Sequence, residues 1–181
     1  MKCISLWQSW ASLCVLASPA DKTTPVKPYE TRHWRTDFRG RLLIHAAKKW
    51  SRELHDTACS EPFMRCLLAG GLPDCDAMPL GRIVGAVDLV DVYQVQTWID
   101  KGRRFTGLTR MLDRPFQDSV NAIALPTGDA LAFGDFSLGR YAWALRNPVM
   151  FKTPIPYKGA QGFFNVPDEV VAAEMARAVA A

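Results

Sequence analysis

From Gly81 to Tyr93 the chain carries Ile83, Val84, Val87, Leu89, Val90 and Val92 in close succession. A β-branched run of this density reads as a central strand, so the fold must supply neighbouring strands on either side of it. Gly85 within the run marks a bulge or a barrel bend, because glycine in a strand interior admits a local kink or a close backbone approach. Asp88 and Asp91 interrupt the apolar pattern. A carboxylate in such a run costs free energy unless it is paired or reaches solvent, which makes both acids candidates for chemistry.

Other segments can join this strand. Cys3–Trp7 reads as a short buried strand and Ser9–Ala17 as a helix begun by Ser9 as N-cap. After a polar, proline-bearing loop from Ser18 to Pro28 the pattern turns strand-like, with Glu30, Arg32 and Trp34 on one face and Tyr29, Thr31 and His33 on the other. Arg39-Gly40 makes a turn into a strand over Arg41–Ala47. Lys48–Leu68 reads as helical with an interruption at Pro62, ended by Gly70-Gly71. Ala130–Phe136, Arg140–Arg146 and Gly159–Val166 have strand character. Pro167 opens an alanine-rich helix with Asp168 and Glu169 at its positive end.

Short strands, turns and a few helices predict an α+β fold, a small mixed β-barrel with flanking helices. The expected organisation is one domain over 1–166, with an irregular excursion at about 94–128, and a C-terminal helix over 167–181. At 181 residues and 49% hydrophobic the chain is long enough for one proper core.

A net charge of +4 is mildly basic. Its distribution is more informative, since Lys22, Lys27, Arg32, Arg35, Arg39, Arg41 and Lys48 are offset between residues 22 and 48 only by Glu30 and Asp37. A concentrated positive field suits phosphate ligands, although a charge cluster alone reads first as a solvated face. The five cysteines form no CxxC pair and read as reduced thiols in a cytoplasmic protein. Lys2 followed by an apolar run superficially resembles a secretory leader, but Gln8, Ser9 and two tryptophans interrupt it. No membrane span is expected. His33, His45 and Cys3 have no ligand spacing, so neither a metal nor a cofactor is expected.

The series Ile4-Ser5-Leu6-Trp7-Gln8-Ser9-Trp10-Ala11, Lys27-Pro28-Tyr29-Glu30-Thr31-Arg32-His33-Trp34, Arg39-Gly40 and Ile44-His45-Ala46-Ala47 resembles the ASCH family, which is similar in fold to PUA and EVE domains. Gly81–Asp91 looks like that family's central strand, and Gly139-Arg140-Tyr141-Ala142-Trp143 like its late aromatic strand. The resemblance implies a PUA-like pseudobarrel whose cleft receives a nucleotide or a flipped-out base, with single-stranded RNA, a nucleotide or a nucleoside as partner. Some members are similar enough to suggest a ribonuclease or an N4-acylcytidine amidohydrolase.

On that resemblance Lys27 matches the lysine ahead of the Glu-Thr-Arg triplet, Glu30 is a proton relay or water-orienting carboxylate, and Asp91 matches the downstream acid of the amidohydrolases. Where those members resemble one another in a threonine nucleophile, this chain has Glu30. Thr31 is one place later and faces the other way. Arg32, Arg35 and Arg39 are expected along a phosphate-holding rim, with Trp34 as stacking face and His45, Ser137 and Arg140 reaching the same cleft. Trp7 and Trp143 read as core. Three functions follow: an RNA or nucleotide binder, a metal-independent hydrolase using Lys27, Glu30 and Asp91, and a protein-interaction adaptor docking through 94–128.

Overall fold

The computed structural model describes residues 1–72, 75–110 and 122–179. Its order is β1 (Lys2–Leu6), α1 (Trp10–Val15), β2 (Tyr29–Arg32), β3 (Gly40–Ala46), α2 (Arg52–Ala58), α3 (Phe63–Ala69), a 3-10 turn (Cys75–Ala77), β4 (Arg82–Asp100), β5 (Arg103–Arg110), β6 (Ala122–Ala124), α4 (Asp129–Ala132), β7 (Tyr141–Pro156), β8 (Phe163–Asn165) and α5 (Asp168–Val179). Among the described residues these strands form one mixed eight-stranded sheet in the order β2-β7-β4-β3-β1-β8, with β5 on the far part of β4 and β6 on β5. Only β1 and β3 run parallel; the other pairs are antiparallel.

The α+β class is therefore present, but the sheet is open: β2 and β8 end the path and do not pair with each other. The apolar run around Gly85 does lie at the centre, where β4 binds both β3 and β7. The register against β7 slips between Ile83 and Gly85, which is the bulge expected there. A Cβ on Gly85 would sit 2.1 Å from the Val149 carbonyl oxygen and 2.9 Å from Val15 Cγ1, so only glycine lets β7 and α1 approach at this point.

Strand alternation distributes the core. Leu42, Ile44 and Ala46 of β3 join Ile4, Leu6, Val87, Leu89 and Trp143 in a layer with Ala11, Cys14 and Val15 of α1. Leu43 points the other way, with Cys3, Ile83, Ala86 and Phe151, into a layer with Val171 of α5. α1 is so short that its outer side is also buried, against Phe63, Leu67, Met78 and Phe133. Its N-terminus is satisfied by Gln8, whose Oε1 accepts from the Ser12 N–H at 3.2 Å and the Ser12 hydroxyl at 3.0 Å. Ser9 makes no side-chain cap.

Three sequence expectations change. Most of the described part of the excursion at 94–128 is not irregular: β4 runs on to Asp100, turns at Lys101-Gly102 and returns as β5, burying Val95 and Leu108 with Ala142. Arginines at exposed hairpin positions hid the two-residue period; residues 111–121 of the excursion lie outside the described residues. Ala130–Phe136 is not a strand but the short helix α4 followed by a loop. Cys59 and Cys75 are joined as a disulfide, while Cys3, Cys14 and Cys66 are free. Burial pushes the Cys3 and Cys14 thiols up to about 12, which leaves both unreactive. No helix among the described residues is long and apolar enough to cross a membrane.

Candidate functional site

A cleft of about 1900 Å³ opens beside the β1, β2 and β3 strands. Its floor is built by the chain entering β2. Val26 and Lys27 donate their N–H groups to the Leu16 and Leu13 carbonyls at the end of α1, and Leu145 of β7 donates to the Pro28 carbonyl. This backbone lacing carries Lys27 inside, where it is 1% exposed. Its ammonium donates to the Tyr29 carbonyl and lies 2.8 Å from Glu30 Oε2. Glu30 Oε1 faces Arg32 Nε at 3.0 Å, and Arg32 Nη2 donates to the Ser5 carbonyl at 3.3 Å.

One buried carboxylate thus sits between two cations. An ion pair this enclosed holds only when both members are present, because either charge alone would be left in a poorly solvated interior. Engaged on both oxygens, Glu30 is a structural counter-ion rather than a free base.

The opposite wall comes from the loop after α4. The Asp135 N–H donates to Thr31 Oγ1 at 2.9 Å, tying that loop to β2. The Ser137 hydroxyl and N–H both donate to Asp135, holding its carboxyl below the usual range, with the charge of Arg140 adding to the effect. Arg140 Nε lies 3.1 Å from Asp135 Oδ2. These contacts of Arg32 and Arg140 are charge contacts without hydrogen-bond direction: each Nε–H is buried and has no hydrogen-bond acceptor. Each Nε thus lies against a carboxylate, held by charge rather than by an aligned hydrogen bond.

His45 closes a third side. Its Nε2 is 3.0 Å from the Tyr157 carbonyl oxygen, which can only accept, so Nε2 carries the hydrogen and Nδ1 accepts from the Ser5 hydroxyl at 3.0 Å. Burial lowers its pKa, which keeps the ring neutral near pH 7. Gly159 lies against this pair; a Cβ there would fall 2.5 Å from His45 Cε1 and 2.6 Å from Ser5 Oγ. Further along the lining, Lys48, Arg82 and Lys158 form no ion pair among the described residues. The cleft is lined by six basic side chains against the carboxylates Glu30 and Asp135.

Lys27, Glu30, Arg32, Trp34, His45 and Arg140 all line one cleft. Asp91 does not. Register explains why: Glu30 stands opposite Trp143, which stands opposite Val92, whereas Asp91 stands opposite Ala144, one residue out of phase and on the other face. Asp91 pairs there with Arg110 and, at 3.5 Å, with Arg39, so Arg39 is also off the cleft. Arg35 is exposed and pairs with Asp37 at 2.9 Å. Ser137 acts through Asp135 rather than lining the cleft.

The tryptophans exchange roles. Trp34 meets Trp143 edge-on at 4.7 Å and Phe163 at 5.3 Å, so its ring is wedged into the core. Trp7, read as core, is 51% exposed and lines the cleft, with Lys49 Nζ 5.2 Å from its ring centroid. Asp135, Ser5, Lys48 and Lys158 were missed as site residues. Ser5 follows from strand pairing with His45, but nothing local in the sequence marks the other three. No protein-family model and no curated protein matches the chain.

Proposed function

We propose that the chain is an ASCH-like, PUA-related RNA or nucleotide binder, acting in the cytoplasm, whose cleft holds phosphate on its basic walls and a base against Trp7. The observation that carries this reading is the cleft lining of six lysine and arginine side chains, Arg32 and Arg140 among them, against only two carboxylates. Phosphate oxygens are acceptors of the right charge for such donors, and a half-exposed indole offers the flat face on which a base stacks. In this reading the open sheet curls into the pseudobarrel of the family, with the Lys27–Glu30–Arg32 ladder as a rigid floor.

Fluorescence anisotropy of a labelled single-stranded RNA, measured over a salt series, tests it. Binding should weaken steeply with salt, and Arg32→Ala with Arg140→Ala should lower affinity about 10-fold or more, since each lost phosphate contact removes its share of counterion release. Arg35→Ala with Arg39→Ala should leave binding unchanged. Wild-type protein that binds neither RNA nor cytidine nucleotides at low salt overturns the proposal.

A hydrolase, ribonuclease or N4-acylcytidine amidohydrolase, would share this cleft but work without Asp91. Lys27 and Glu30 are the groups at its floor, and each would have to release a partner to act as acid or base. Metal-free turnover of RNA or N4-acetylcytidine that disappears in Lys27→Ala, in a variant that still folds by circular dichroism, would favour this over binding alone.

A further inference from the structure

The second concentration of chemistry lies away from the cleft floor, between the end of α2 and the 3-10 turn. His55 and Cys59 are four residues apart, so they project from one side of α2 and its C-cap. Cys59 Sγ lies 3.7 Å from His55 Nε2, and the same nitrogen is 3.2 Å from Asp76 Oδ1. Cys75, the residue before Asp76, is joined to Cys59. Two sulfurs, one imidazole nitrogen and one carboxylate oxygen therefore converge. On its remaining side, His55 Nδ1 faces Asp56 Oδ1 at 3.5 Å.

We propose that reduction of the Cys59–Cys75 bond converts this cluster into a zinc site with Cys59, Cys75, His55 and Asp76 as its four ligands. The donor set is that of a tetrahedral Zn(II) centre. With Zn–S of about 2.3 Å and Zn–N or Zn–O of about 2.0 Å, ligand atoms of a tetrahedron stand roughly 3.3–3.8 Å apart. The separations of 3.7 Å and 3.2 Å already lie near those edges. Asp56, 3.5 Å from the second ring nitrogen, stands where a carboxylate commonly supports a metal-binding histidine and would take up the Nδ1 hydrogen once Nε2 binds the metal.

With the sulfurs joined, no group of three or more His, Cys, Asp or Glu side chains among the described residues can hold a metal ion. Reduction changes the donor set. A dithiol passes two electrons and two protons to the disulfide; the S–S bond breaks, two thiols form, and the dithiol closes into its own disulfide. Zn(II) then displaces both thiol protons to solvent as two Zn–S bonds form. Bound metal would pin the 3-10 turn a few residues ahead of Leu80, Gly81 and Arg82, which line the cleft.

The test uses the full chain, reduced with a dithiol, freed of it under anaerobic conditions and titrated with Co(II) and then Zn(II). One Co(II) per chain should bind, with thiolate-to-metal charge transfer and the visible bands of a tetrahedral site, and Zn(II) should displace it. The oxidised chain should bind none. Asp56→Asn should weaken Zn(II) binding about 10-fold to 100-fold, as loss of an outer carboxylate does. His55→Gln should weaken it further, and because His55 is 36% exposed its replacement leaves the fold available for the comparison. Reduced chain that binds no Co(II), or binding unaffected by His55→Gln and by Cys59→Ser, overturns the site.

Discussion

Two places in this molecule have the same ionic formula, one carboxylate between two cations. Glu30 lies between Lys27 and Arg32 at the cleft floor, and Asp91 lies between Arg39 and Arg110 on the other face of the sheet. They differ in what surrounds them. Lys27 is 1% exposed, whereas Arg39 and Arg110 are 39% and 57% exposed at their side chains. The two carboxylates are about equally covered, but water can replace both partners of Asp91 and cannot replace Glu30 at Lys27. The same charge pattern therefore builds a rigid binding floor in one place and a surface cluster in the other, and burial rather than charge density separates them.

The sharpest way to break this comparison is to remove each carboxylate in turn. Glu30→Ala leaves the Lys27 ammonium buried without its counter-ion, and a loss of about 3–5 kcal/mol in urea unfolding is expected. A loss near zero would mean that Lys27 is far better solvated than its enclosure indicates. The far wall of the same cleft gives the next effect. Gly159→Ala places a Cβ within 2.6 Å of both His45 Cε1 and Ser5 Oγ, so the loop must move or the hydrogen-bonded pair must break. About 1–3 kcal/mol of destabilisation should result, with weaker RNA binding.

Acidity separates the two regions by window. Burial lowers the His45 pKa from its ordinary 6.5, so the unfolded chain takes up a proton before the folded one does. The contribution of His45 is complete above about 6.5 and declines as pH falls through the lowered value. Asp91 behaves differently. Burial pushes its carboxyl up, but the Val92 N–H and Arg110 outweigh that and hold it below 3.8, so its contribution is lost only in stronger acid. Unfolding free energy measured from pH 8 to pH 5 should therefore fall at the lower end, and His45→Gln should flatten that fall while Asp91→Asn leaves it in place.

The sequence made the centre of the sheet legible because the β4 run is apolar at both parities, and the bulge because glycine interrupts it. The cleft floor was legible through Lys27, Glu30 and Arg32, whose order in the chain is also their order in space. Asp91 was misplaced because its distance from Glu30 depends on the β4–β7 and β7–β2 registers together, and a slip at Leu89 shifts the phase. Trp34 and Trp7 were exchanged for a related reason. Aromatic flanks read alike in sequence, and only the arrival of Phe163 and Trp143 decides which ring is covered. Asp135 was missed since a loop acid gains meaning only once Thr31 and Arg140 are brought to it.

The smallest effect carries the comparison to its limit. Asp91→Asn keeps the Val92 cap geometry and the shape of the side chain while removing its charge, leaving Arg39 and Arg110 to water. Less than about 1 kcal/mol should be lost, and RNA affinity should not change, because neither arginine lines the cleft. Salt provides the discriminating control. An exposed cluster is screened within about 10 Å at 0.1 M ionic strength, so the Asp91→Asn penalty should shrink further as salt is raised. The Glu30→Ala penalty should persist, since ions cannot reach a lysine enclosed behind α1. If both penalties faded together, the cleft floor would be no more than a second surface cluster, and its claim to hold a ligand would weaken with it.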